Sequence, residues 1–160
     1  MALATSVLGT VMLTSQAGSV ITTVGTNIIV GTITTTTSSI ISVVKYLATN
    51  NQPGINEIVT ALNNIDLEFT ISIIEQLVKE QEHKELSESI HQALTGLHKI
   101  LELIHEELNT IKIAIENHNS KYFTNWRSFS WTGNLDSIKK YNEIFKHRYS
   151  ILFELLKIYK

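Results

Sequence analysis

His91, His98 and His105 recur at seven-residue intervals, which on a helix sets three imidazoles in one column. Imidazole changes charge near neutral pH and is a common metal ligand. Each seven-residue step advances about 10.5 Å along a helix axis, however, so no single ion bridges neighbouring members of the column. Only His98, Glu102 and His105, separated by steps of four and three, share a face at chelating distance. A zinc centre needs three or four ligands, each braced by further hydrogen bonds. No additional ligand type stands at suitable spacing, so no metal and no cofactor are expected, and the column reads as a solvated stripe flanking a helix seam. Were the column to lie at an interface, protonation near pH 6 would loosen that interface. The acidic pairs Glu106-Glu107 and Glu80/Glu82 fall on exposed helical faces. There is no Walker phosphate loop, G-x-G-x-x-G, G-x-S-x-G or H-E-x-x-H. The absence of cysteine removes thiolate chemistry and disulfides. These residues give no basis for an enzyme.

A second group could bind rather than react. Tyr122, Phe123, Trp126, Phe129 and Trp131 put five of the twelve aromatic residues within ten positions, together with Arg127. Trp, Tyr and Arg dominate binding hot spots and also suit a membrane interface. The same rings at a helix junction could instead seal the end of a core. Stacking on nucleic-acid bases would need more cations than Lys121 and Arg127, and the net charge of −2 argues against nucleic acid as a partner.

The elements that position these residues divide by charge. Residues 1–44 contain no Asp, Glu, Lys or Arg, but hold eleven Thr, six Ser and four of the seven Gly among Val and Ile. Such a composition makes a poor isolated helix. It therefore implies an arm over residues 1–49 that is covered by a partner, inserted in a membrane, or packed on its own domain. A helix over Val20–Val44 is long enough to cross a bilayer, although Thr34–Ser39 is a run of six polar residues. The extended alternative places short strands at Val20–Val24, Ile28–Ile33 and Ile40–Val44. In either form Val20, Ile21, Val24, Ile28, Ile29, Val30, Ile33, Ile40 and Ile41 are the candidate partner-binding residues. Met1–Ala17 lacks the basic start of a secretory signal, so the mature chain is expected to begin here.

Residues 50–54, Asn-Asn-Gln-Pro-Gly, form a linker, and 55–160 form a helical domain. Helices are expected over about 55–80, 86–118 and 135–159, with a break possible at Asn63-Asn64 and an aromatic loop over 121–134. Ile90, Leu94, Leu97, Leu101, Ile104, Leu108, Ile111 and Ile115 alternate steps of four and three, a heptad seam. Leu135, Ile138, Tyr141, Phe145, Leu152, Leu155 and Tyr159 supply a second helix of similar length. Residues 66–116 carry eleven acids against four bases, and residues 121–160 carry eight bases against three acids. That complementarity favours pairing the two helices as an antiparallel hairpin. The expected fold class is all-α: a helical bundle with a long coiled-coil-like hairpin and an uncharged N-terminal arm.

An uncharged Gly/Ser/Thr/Val arm, then Asn51-Gln52-Pro53-Gly54-Ile55, a helical body, and Trp126-Arg127-Ser128 before a Lys-rich last helix resembles small minor capsid and virion structural proteins of large icosahedral double-stranded DNA viruses. The resemblance covers layout and no diagnostic motif. It implies a non-enzymatic cement protein of the virion, found at the capsid or its inner face. Met1–Val44 would be the cementing arm and Trp126–Trp131 a docking loop, with the major capsid protein and further copies of this chain as partners. The other reading of the same residues is a membrane-inserting helical protein, a pore former or anchor, attached through residues 1–44. A cellular protein of this kind would be cytoplasmic or membrane-associated.

Overall fold

A computed structural model describes residues 4–50, 54–119 and 131–159, with side chains placed for 23–50, 54–118 and 131–159. The described chain is all-helical: α1 (Ala4–Ala48), α2 (Ile55–Asn64), α3 (Leu67–Lys79), α4 (Glu88–Asn119) and α5 (Thr132–Ile158). The extended alternative for the uncharged segment does not hold, because 20–24, 28–33 and 40–44 all lie within α1.

The helix forms despite its β-branched content because one of its faces is buried in the core, and its hydroxyls bond to its own backbone. Thr35 donates to the Gly31 carbonyl, Thr36 to Thr32, Ser39 to Thr35 and Ser42 to Ser38, all at 2.8–3.0 Å. Bonds of this kind satisfy the hydroxyl without water, so a Thr-rich surface can pack as though it were nearly apolar. One face does so. Thr26, Val30, Ile33, Thr37, Ile40, Val44 and Leu47, in steps of four and three, are all buried. From Thr23 onward the segment is therefore a core helix and not a detached arm. It packs against α2, α3 and α4.

All eight residues of the α4 seam are buried too. The two seams run parallel. His91 Nε2 lies 3.6 Å from where a Cβ on Gly25 would sit, and the Lys112 ammonium stands 5.4 Å from the Tyr46 ring centre. The same sequence offset separates both pairs. The chain returns between them through α2 and α3, which run antiparallel to α1: Ser38 Oγ donates to Glu75 Oε1 at 3.4 Å, and the His83 amide donates to Asn27 Oδ1 at 2.9 Å.

That return leg is one helix broken in two. After Ile55, Ile58 and Leu62 an unbroken heptad would continue through Ile65, Phe69 and Ser72. Asp66 instead takes a left-handed conformation (φ 53°), and the core face resumes at Leu67, Ile71, Ile74 and Val78. Phe69 is left 61% exposed. The break frees the Ile65 carbonyl, which accepts a 3.4 Å bond from Asn142 Nδ2 of α5. Asn142 is fully buried, and its Oδ1 has no partner.

α5 lies along α4 in the opposite direction. Asn134 Nδ2 donates to Glu107 Oε2 at 2.7 Å, and the Arg148 guanidinium donates to the Gly96 carbonyl. Its core positions are Ile138, Asn142, Phe145 and Leu152. The expected Tyr141 is only half-buried and Tyr159 is exposed. The helix also starts at Thr132, so 132–134 belong to α5 and not to the aromatic loop. Lys139, Lys146 and Lys157 pair with Asp136, Glu143 and Glu154 of α5 itself, so these charges do not bridge the two helices. Apolar packing joins them, together with the Asn134–Glu107 and Arg148–Gly96 bonds.

Replacing Ile33 by Ala will lower the unfolding free energy by about 2–5 kcal/mol, the usual cost of deleting a buried branched side chain. Urea unfolding followed by circular dichroism measures it.

Candidate functional site

The bonds that fix helix register also fix which residues share a level along the bundle. The turn after α3 meets α1 at Asn27, and the first turns of α4 meet it at Gly25. Since Arg148 of α5 bonds Gly96 of α4, the last two turns of α5 lie beside the beginning of α4. The described helices α3, α4 and α5 therefore all reach the same level at one end of the bundle, near residues 24–28 of α1. Helix α1 alone continues past it, back to Ala4.

Six of the ten exposed large apolar side chains among the described residues lie at that level. Val24 and Ile28 of α1 are 53% and 63% exposed, and Ile151, Phe153, Ile158 and Tyr159 at the end of α5 are exposed as well. Phe153 stacks on Tyr149 with ring centres 6.1 Å apart, and the Lys157 ammonium sits 4.4 Å from the Phe153 ring centre.

The candidate partner-binding residues are sorted by this geometry. Val30, Ile33 and Ile40 belong to the protein's own core and are withdrawn from any partner face. Ile29 and Ile41 are partly buried against that core, whereas Val24 and Ile28 face outward. Val20 and Ile21 lie in α1, with side chains outside the described set. Tyr122, Phe123, Trp126, Arg127 and Phe129 fall outside the described residues. Trp131 packs on the core with its indole Nε1 3.7 Å from where a Cβ on Gly54 would sit. Ile151, Phe153 and Ile158 were absent from the sequence-derived candidates. Ile151 and Ile158 stand seven residues apart, and Ile144 extends the same spacing, which was the available signal.

The histidine column faces α1. His98 Nε2 lies 3.4 Å from Thr36 Oγ1 and 3.7 Å from Glu102 Oε1. His105 joins Asn109 and Lys112 along a shallow groove of about 560 Å³, whose other wall is Thr34, Thr35, Ser38, Ser39 and Ser42. The hydroxyls of Thr35, Ser39 and Ser42 are committed to backbone carbonyls, and that of Ser38 to Glu75. Two hydroxyls here do meet a titratable side chain: Ser38 meets Glu75, and Thr36 meets His98. Among the described residues no three His, Asp or Glu side chains converge as ligands on one point.

No protein-family model matches this chain, and neither the curated proteins nor the solved structures contain a detectable match.

Because Ile28 points away from the core, Ile28→Lys will change the unfolding free energy by less than about 0.5 kcal/mol. Thermal and urea unfolding of the variant beside the native chain will test that side-chain orientation.

Proposed function

We propose that this protein is a non-enzymatic structural component: a helical bundle that joins a larger assembly through the end from which α1 continues. The supporting observation is the coincidence of six exposed apolar residues with the departure of an uncharged helix at that end. A bundle held by the buried seams of α1 and α4 makes a stiff body, and an adhesive end on a stiff body suits a peg or cement element better than a catalyst. The layout resemblance adds the particular form of the reading, a minor capsid protein of a large DNA virus. In that form the major capsid protein and further copies of this chain are the neighbours, and the aromatic segment around Trp126 and Trp131 is a further docking point.

The membrane-inserting reading needs a different segment from the one composition suggests. Thr23–Ala48 has the length and mean hydropathy, 1.4, of a spanning helix. Its heptad face is already committed to the bundle core, so inserting it would dismantle the fold.

Attachment through an exposed apolar end has a direct consequence in lipid-free buffer. Sedimentation velocity of the full chain will show discrete species larger than the monomer, increasing with concentration, and Val24→Glu with Ile28→Glu will move the population toward monomer. A single monomeric species over the whole soluble range, for the native chain and the variant alike, would contradict the assembly reading.

A further inference from the structure

Resting on the reading of this end as an attachment end, we propose that the surface it meets is a lipid bilayer. The part of α1 ahead of Thr23 would be inserted, and the end of α5 would lie at headgroup level. Length carries the first step. The nineteen helical residues from Ala4 to Thr22 span about 28 Å at 1.5 Å per residue, close to the hydrocarbon thickness of about 30 Å.

Charge carries the second step. No Asp, Glu, Lys or Arg occurs before Lys45, so insertion of this stretch desolvates no ion. The nineteen residues meet the charge requirement of the hydrocarbon interior along their whole length. Their polar groups are mainly Thr and Ser hydroxyls. In the described part of α1 such hydroxyls donate to carbonyls three or four residues earlier, the bonding that lets a hydroxyl enter an apolar medium.

The third step is the composition of the bundle end. Tyr149, Phe153 and Tyr159 place aromatic rings at the level where α1 leaves the bundle, with the Lys157 ammonium over the Phe153 ring and 2.9 Å from Glu154. Aromatic rings and lysines favour the boundary between hydrocarbon and water. Val24 and Ile28, exposed on α1 at the same level, would be covered there as well. The bundle would stand on the membrane while its core stays intact.

Flotation of the full chain on phosphatidylcholine vesicles tests the proposal, with sedimentation velocity of the same samples in lipid-free buffer run alongside. The native chain is expected to float. Val11→Lys combined with Leu13→Lys is expected to reduce vesicle partitioning by about a hundredfold or more while keeping the native urea midpoint. Phe153→Glu with Ile158→Glu changes only exposed positions of the bundle end and is expected to weaken partitioning independently. Undiminished flotation of the lysine variant would overturn insertion of α1, and undiminished flotation of the glutamate variant would overturn the seat of α5 at the headgroups. A native chain that stays at the bottom of the gradient yet forms discrete oligomers would overturn the bilayer proposal and leave the assembly reading standing. A native chain that neither floats nor associates would remove both.

Discussion

The parallel packing of α1 on α4 is the constraint from which the rest of the bundle follows. Two parallel neighbours cannot be joined by a tight turn, so the chain must travel the length of the bundle before α4 begins. Helices α2 and α3 make that journey, and the left-handed Asp66 between them keeps both on the core face. The carbonyl released at the break then sets a requirement on the last helix, met by the buried amide of Asn142. A polar group at an otherwise apolar seam position costs stability, but it fixes register, since any slide of α5 would strand it away from Ile65. Each element is thus placed by the seam or by a group that the seam's topology left unpaired.

The chemistry of the α1 surface has the same origin. Uncharged residues on every side of a helix are poorly suited to water, yet here one face is occupied by the core and several hydroxyls, those of Thr32, Thr35, Thr36, Ser39 and Ser42, are turned back on the helix itself. What remains outward is small, neutral and weakly hydrated. At the level of Val24 and Ile28 it becomes apolar, and there α3, α4 and α5 reach their common level. An attachment role therefore needs no special motif. It arises because one long helix, uncharged until Lys45, outruns the helices packed on it.

The helical class and the α4 seam were legible in the sequence because leucine and isoleucine stand at every seam position from Ile90 to Ile115 with charged residues between them. The α1 seam was not. Two of its seven positions are Thr26 and Thr37, and the residues between them are just as uncharged, so the contrast that reveals an amphipathic helix is missing. In α5 the sequence favoured Tyr141 where Asn142 is buried, because an asparagine reads as a surface residue until its partner carbonyl is known. The stop between α2 and α3 was visible near Asn63-Asn64, but the phase shift that exposes Phe69 was not. The attachment end was only half legible: the uncharged segment announced itself, whereas the α5 side chains come to the level of Val24 and Ile28 only through helix register.

Amide hydrogen exchange along α1 tests most directly whether that helix is the structural core. The amides of Val30 to Leu47 are expected to exchange as slowly as those of Leu94 to Leu108 in α4, through the same global opening, with matching dependence on denaturant. Fast exchange across Val30 to Leu47 while the α4 amides stay protected would mean that α1 is an appended arm, and the bundle as argued here would be wrong.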